Sequence, residues 1–319
     1  MKYFVKAAEF VIVIALLVLS ILTFNKINQI ELIKADDYSP DQYHIAIVTD
    51  DVNSYAFEKF IDGVEVSMEA QQSIYEIYEV GDISLEDVVE MIIITEVDGV
   101  VLRLSDNTIA NDAITKLDQA DIRVIAVGND APESPRDVYI GTNKFNMGRH
   151  AANLAIKAIG NEGHVGIILG SEYINETAIA TNNFVNGIQD IITKSSNIEL
   201  TTIKYTHSIR AELLMDDILD ENLPIDVVIC TDPVDVNRII RVLVDRNRVG
   251  EIKIIASGDT AEIIDGIEKR LISVSIVEDY TELGALSITY LHQVLNGEGA
   301  SVYVNVPFNT IHQSNLGVE

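Results

Sequence analysis

Apolar positions in this chain follow two rhythms that alternate along its length. The run YHIAIVT (43–49) is almost continuously apolar, the pattern of a parallel strand covered on both faces. Phe57, Phe60, Ile61, Val64 and Met68 follow at 3.6-residue spacing, which predicts a helix that buries one stripe. The alternation then repeats through SIYEIYEV, a helix over 84–95, VVLRL, a helix over 107–120 and IRVIAV. A loop and a short strand ending at Gly141 lead to a helix over 144–159. From there HVGIIL, IELTTIKY, IDVVIC, IKIIAS, ISVSIV and SVYVNV alternate with helices predicted over 177–192, 210–220, 234–246, 261–269 and 280–295. Strict strand–helix alternation calls for parallel sheets with right-handed crossovers. Two arrays of similar length predict an α/β protein of two Rossmann-like lobes, with the stretch 122–148 holding the first crossing between them.

The N-terminal segment breaks this rhythm. Residues 7–24 are apolar on all sides apart from Glu9, and Lys2 and Lys6 precede them. Eighteen helical residues span about 27 Å, enough for a bilayer core. No small-residue cleavage site and no cysteine for lipid attachment follow, so one uncleaved transmembrane signal anchor is expected. Residues 1–42 then form an anchor with a polar linker, and 43–319 form the folded domain. Lysines on the two flanks nearly balance and only weakly orient the N-terminus toward the cytoplasm. The expected location is the cell membrane, single-pass, with the domain outside the cytoplasm.

Composition narrows the chemistry. The 319 residues are 48% hydrophobic and carry 50 Asp and Glu against 22 Lys and Arg, a formal charge of −28. So acidic a surface repels nucleic acid phosphates, so no nucleic acid partner is expected. The single cysteine, Cys230, lies inside IDVVIC and reads as a core thiol, which rules out an intrachain disulfide and a cysteine zinc cluster. There is no phosphate-cradling GxxxxGK[ST], no HExxH and no GxSxG, and the six histidines are scattered. No cofactor and no enzymatic activity are expected. In open α/β sheets a ligand sits at the carboxyl ends of strands. Here those loops carry Asn, Asp, Ser, Arg, Tyr and Glu, a hydrogen-bonding set for a small polar ligand. The same residues also cap the helices that follow.

Seven phrases in order resemble the type 1 periplasmic binding proteins, the ribose- and galactose-binding group, over about 43–310. They are VDGVVL, DIRVIAVGNDA, YIGTNKFNMGRHAANLA, GHVGIILG, IDVVICTDP, IKIIASGDT and SVSIVEDYTELG. The resemblance implies two lobes joined by three hinge crossings, near 131–139, 257–259 and 277–279. The N-lobe would then take about 43–133 plus 258–278, and the C-lobe about 139–256 plus 280–319. It implies a sugar or similar small polar ligand, and a membrane partner, either an ABC permease or a histidine kinase. Lac-repressor-type regulators share the domain but carry a helix-turn-helix where this chain has its apolar span.

Carried over position by position, the family's ligand set is altered. Asn53, Tyr55 and Phe57 fall on its Asn-Pro-aromatic-aromatic loop, with Tyr55 or Phe57 able to stack on a sugar ring. Gly128-Asn129, followed by Asp130, stands for its Asp-Arg pair, and Asn182 for its arginine. Thr231-Asp232 stands for Asn-Asp, Gly258-Asp259 for the hinge Asp-Gly, and Glu278 for its glutamine. Arg103 is the one cation placed in the cleft. It is expected either to bind an anionic group or to balance Asp232, Asp259 and Glu278. The loss of the family's ligand arginine also leaves room for a vestigial cleft that serves as an interaction module.

Overall fold

The computed structural model describes residues 42–105, 107–169, 183–204 and 211–316. The expected anchor at 7–24 lies outside them, and the chain divides into a unit ending at Tyr43 and a unit His44–Glu319. Among the described residues no helix is long and apolar enough to cross a membrane.

The folded unit holds two six-stranded sheets. In lobe one, strands β1 (His44–Thr49), β2 (Ile74–Glu79), β3 (Gly99–Arg103), β4 (Arg123–Val127) and β5 (Val138–Gly141) run parallel in the order β2-β1-β3-β4-β5, and β11 (Tyr303–Asn305) adds in parallel beside β5. In lobe two, β6 (Gly163–Leu169), β7 (Ile198–Lys204), β8 (Val227–Cys230), β9 (Lys253–Ser257) and β10 (Val274–Glu278) take the same winding, β7-β6-β8-β9-β10. There the outermost strand, β12 (Phe308–Ile311), pairs antiparallel with β10, from Ser275 opposite Ile311 to Glu278 opposite Phe308. Central strands such as β8 and β10 are buried along their whole length because helices cover both faces. The edge strand β2 is exposed or half-buried at every position.

Helices α1 (Tyr55–Gln71), α2 (Leu85–Ile94), α3 (Asn107–Gln119) and α9 (Tyr280–Leu295) cover sheet one. Helices α4 (Lys144–Ala158), α5 (Asn183–Ile192), α6 (Ala211–Asp220), α7 (Pro233–Asp245) and α8 (Ala261–Glu268) belong to lobe two. Six of them begin at a polar residue that caps the helix. Ser54, Ser84, Asn143, Asp232, Thr260 and Asp279 accept from Phe57, Asp87, Asn146, Val234, Ile263 and Glu282 N–H. One cap of this kind stabilises by about 1 kcal/mol.

The path between the lobes differs from the expected one. The chain crosses at Asp279, as expected near 277–279, but its other crossings are at 142–143 and 306–307 in place of those expected near 131–139 and 257–259. Residues 258–278 therefore stay in lobe two, where β10 pairs β9, whereas α9 and β11 return to lobe one. Periodicity reveals what kind of element each segment forms but not which sheet it joins. Pairing decides that, and β11 finds its partner 164 residues upstream, where Tyr303 faces Tyr139. The short strand β12 gave no signal of its own, since FNTI is four residues with two adjacent polar positions and so no alternation.

Candidate ligand cleft between the lobes

The carboxyl ends of both sheets supply the loops of one cleft, and two of the three crossings run beside it. Beside a crossing stands Glu278, the last residue of β10, with its side chain only 6% exposed. The Lys144 ammonium, at the first turn of α4, pairs with Glu278 Oε1, and the Tyr280 hydroxyl donates to the same oxygen at 3.1 Å. This trio sits beside two crossings: Lys144 follows the first, and Glu278 and Tyr280 flank the second at Asp279, so Tyr280 is its contribution from lobe one. Tyr55, from lobe one, sets its ring edge-on to Tyr280 at 6.5 Å and 83°. It also comes against Gly258 and Pro233 of lobe two. Gly258 holds φ +90°, and Pro233 crowds the place where a Cβ would sit, so the tight approach there requires glycine.

A pocket of about 520 Å³ opens under Tyr55. Lobe two lines the rest of it with Glu212, Pro233, Asn237, Arg238, Arg241 and Thr260 among others. Arg238 Nη1 donates to the buried Asp235 at 3.3 Å, and its Nε lies 3.9 Å from Glu212. Glu212 Oε2 is buried without a hydrogen-bond partner. Guanidinium, carboxylate, amide and hydroxyl groups thus converge with an aromatic ring, and the cations are matched by carboxylates. That set suits a neutral ligand rich in hydroxyls more than an anion. Just outside, the Asp259 carboxyl is held above the ordinary carboxylate range by burial and by the nearby Asp279.

The positions expected at the site stand as follows. Of these, Tyr55 lines the pocket; Asp232 and Asp259 are chain neighbours of its lining residues Pro233 and Thr260, and Asp232 caps α7, its Oδ1 2.7 Å from Val234 N. Phe57 is only 5% exposed and stacks on Phe60 inside lobe one, as its place in the α1 stripe dictates, so it offers no free ring. Arg103 covers the Phe57 and Phe60 rings at 5.8 and 6.0 Å and donates to Thr49 Oγ1 at 3.4 Å. The cation that meets Glu278 is Lys144 and not Arg103, because Lys144 sits on the adjoining crossing. Asn129 holds the β3–α3 loop through Leu104 O at 3.0 Å. Asp130 is gripped by Arg136 through two parallel hydrogen bonds, 2.5 and 3.0 Å. Asn53 is exposed, and Asn182 lies outside the described residues. Reading the strand-end loops alone missed Asn237, Arg238 and Arg241, which lie on the polar side of α7. Their i, i+1, i+4 spacing on an amphipathic helix opening at the cleft was the available signal. Among the described residues, no group of three or more His, Cys, Asp or Glu converges on a metal-sized site.

A sequence model of the periplasmic binding protein domain matches residues 44–299. No curated protein sequence matches the chain. Similar solved structures include a solute-binding protein from Burkholderia graminis in complex with D-arabinose, with TM-score 0.78 and 19% identity, covering 88% of this chain and 99% of its own. GanP, a glucose-galactose binding protein from Geobacillus stearothermophilus, has TM-score 0.75 and 19% identity, covering 87% and 99%. The XylFII–LytSN complex matches with TM-score 0.74 and 21% identity, covering 86% and 99%. At these identities the likeness shows the fold. Together with the family match over most of the chain, it establishes that this chain belongs to the periplasmic binding proteins, of the type 1 architecture.

Proposed function

We propose that the chain is an extracytoplasmic solute-binding protein, tethered by residues 7–24, that closes its lobes on a sugar or similar hydroxyl-rich solute. One observation carries this reading. The inter-lobe pocket sets an aromatic ring from lobe one over balanced polar groups from lobe two, next to crossings that can act as a hinge. A sugar there stacks its apolar face on Tyr55 and gives its hydroxyls to Asn237, Arg238 and Glu212. A ligand touching both lobes selects the closed state by its differential affinity. Neighbours named for glucose-galactose, D-arabinose and D-allose support the ligand class.

The closed form is then read by a membrane partner, an ABC permease or a sensor kinase. A sugar ABC transporter component is among the neighbours, and the XylFII–LytSN complex supports the kinase alternative. A second reading, a vestigial cleft that serves only as an interaction module, is favoured by the internal engagement of Asp130 and Asn129.

A thermal-shift screen of pentoses, hexoses, polyols, amino acids and polyamines tests the assignment. A sugar at 100 times its Kd stabilises by about 2.7 kcal/mol, which raises Tm by roughly 5 °C or more for a chain of this size. The shift is expected to vanish in Asn237→Ala. Shifts with polyamines or amino acids alone contradict the ligand class, and a flat screen favours the vestigial reading.

A further inference from the structure

Between Lys59 and Arg103 the chain carries eleven carboxylates and no lysine, arginine or histidine. This segment builds the outer edge of lobe one, and the acidic region is not simply a solvated surface. Within it, a groove of about 460 Å³ opens between β2 and α2, lined by Ile77, Tyr78, Ile83, Val88 and Met91 with Glu79 and Asp82 at its rim. Ile77 is 43% exposed, Ile83 46%, Met91 36% and the neighbouring Ile94 78%. Strand β2 pairs with β1 along all six residues on one side and ends the sheet on the other, leaving one row of backbone donors and acceptors open. A Cβ at Gly81, which also lines the groove, would meet nothing within 4 Å, so the groove is open there. Exposed branched side chains on an open edge strand commonly mark an interaction site.

We infer that this edge is a docking surface for a protein partner whose contact segment is apolar and flanked by lysine or arginine. The charge decides between occupants. A second copy brings the same carboxylate rim, and like charges facing each other cost several kcal/mol. Anionic lipid headgroups and nucleic acid are repelled for the same reason. A cation-flanked segment gains the apolar burial, the open β2 hydrogen bonds and the electrostatic attraction together. The inference deepens the proposed function, because it supplies the surface at which a membrane partner reads the protein.

The test places a photo-crosslinking amino acid at Met91 of the full-length chain, in the membrane of the cells that express it. The account expects one discrete protein adduct whose cross-linked peptide is apolar with Lys or Arg flanks. Its yield should fall about tenfold when Glu79→Lys and Asp82→Lys reverse the rim. Both residues are exposed, and an unchanged Tm and an unchanged sugar response confirm that the variant is folded. No adduct, an adduct to lipid, to a second copy or to residues 1–42, or a protein adduct indifferent to charge reversal overturns the inference. The thermal-shift screen reads the cleft independently. No adduct from the chain with its native rim, together with a sugar shift, refutes the docking surface alone, and a charge-dependent adduct without any sugar shift refutes the ligand reading alone.

Discussion

The two lobes share one winding and one packing device, yet they use their cleft residues in opposite ways. In each lobe a pair of helices crosses through two glycines placed against the other helix's backbone. In lobe one, a methyl at Gly63 of α1 would strike the Thr281 carbonyl of α9, and one at Gly284 would strike that of Phe60. In lobe two, Gly148 of α4 faces the Phe184 carbonyl of α5 and Gly187 faces that of Phe145. The lobe-two helices lie close in sequence, whereas α1 and α9 are separated by all of lobe two except β12. Lobe one is therefore completed only after the chain has laid down the five parallel strands of its neighbour and returned. The cleft-facing polar groups differ as well. Lobe one turns many of its own inward, with Asp50 held to Ser105, Asn129 to Leu104 and Asp130 to Arg136. Lobe two leaves Asn237, Arg241 and Thr260 lining the pocket. In the proposed function, recognition then rests mainly on lobe two, with Tyr55 as the contribution of lobe one.

The glycine crossings give the largest expected effects. Gly284→Ala and Gly187→Ala each force two helices apart, at a cost of about 3 kcal/mol or more. If the lobes are matched devices, each variant should lower its own lobe's hydrogen-exchange protection first. Equal loss in both lobes from either variant would show that they unfold as one unit. Next comes the ion pair that lobe two sets beside the crossings. Lys144→Met leaves the buried Glu278 carboxylate without its cation and should destabilise by about 3 kcal/mol, measured by urea denaturation. Lys144→Met combined with Glu278→Gln should recover most of that loss. The smallest effect separates the lobes by pH. His292 on α9 is buried against Ser73, and burial lowers its pKa below the usual 6.5. The unfolded chain therefore binds that proton more readily, and stability falls as pH drops below 6.5, levelling off once the folded imidazole also titrates. Lobe one should lose stability on acidification through this residue, and His292→Gln should remove that part of the pH dependence.

Much of this architecture was legible in the alternation of patterns, and the helix over 280–295 coincides with α9 residue for residue. What was not legible was long-range. Nothing local in α9 says that it packs on α1 rather than on the sheet just before it. The helix stripe already placed Phe57 in a core, and the structure keeps it there. Asp232 is a capping residue whose position is dictated by the helix that follows, so its polarity carried no extra information about a ligand. Arg136, which disarms Asp130, lies six residues away in a loop that no period describes.

The most direct measurement is the distance between the lobes with and without solute. Cys230 is fully buried, and burial raises its thiol pKa, so cysteines introduced by Asp51→Cys and Glu268→Cys take spin labels cleanly. Pulsed dipolar spectroscopy of the doubly labelled chain should show a broad distance distribution that narrows and shortens when the stabilising sugar is added, and Asn237→Ala should abolish the change. A distribution that is identical with and without a bound sugar would contradict closure of a hinged cleft.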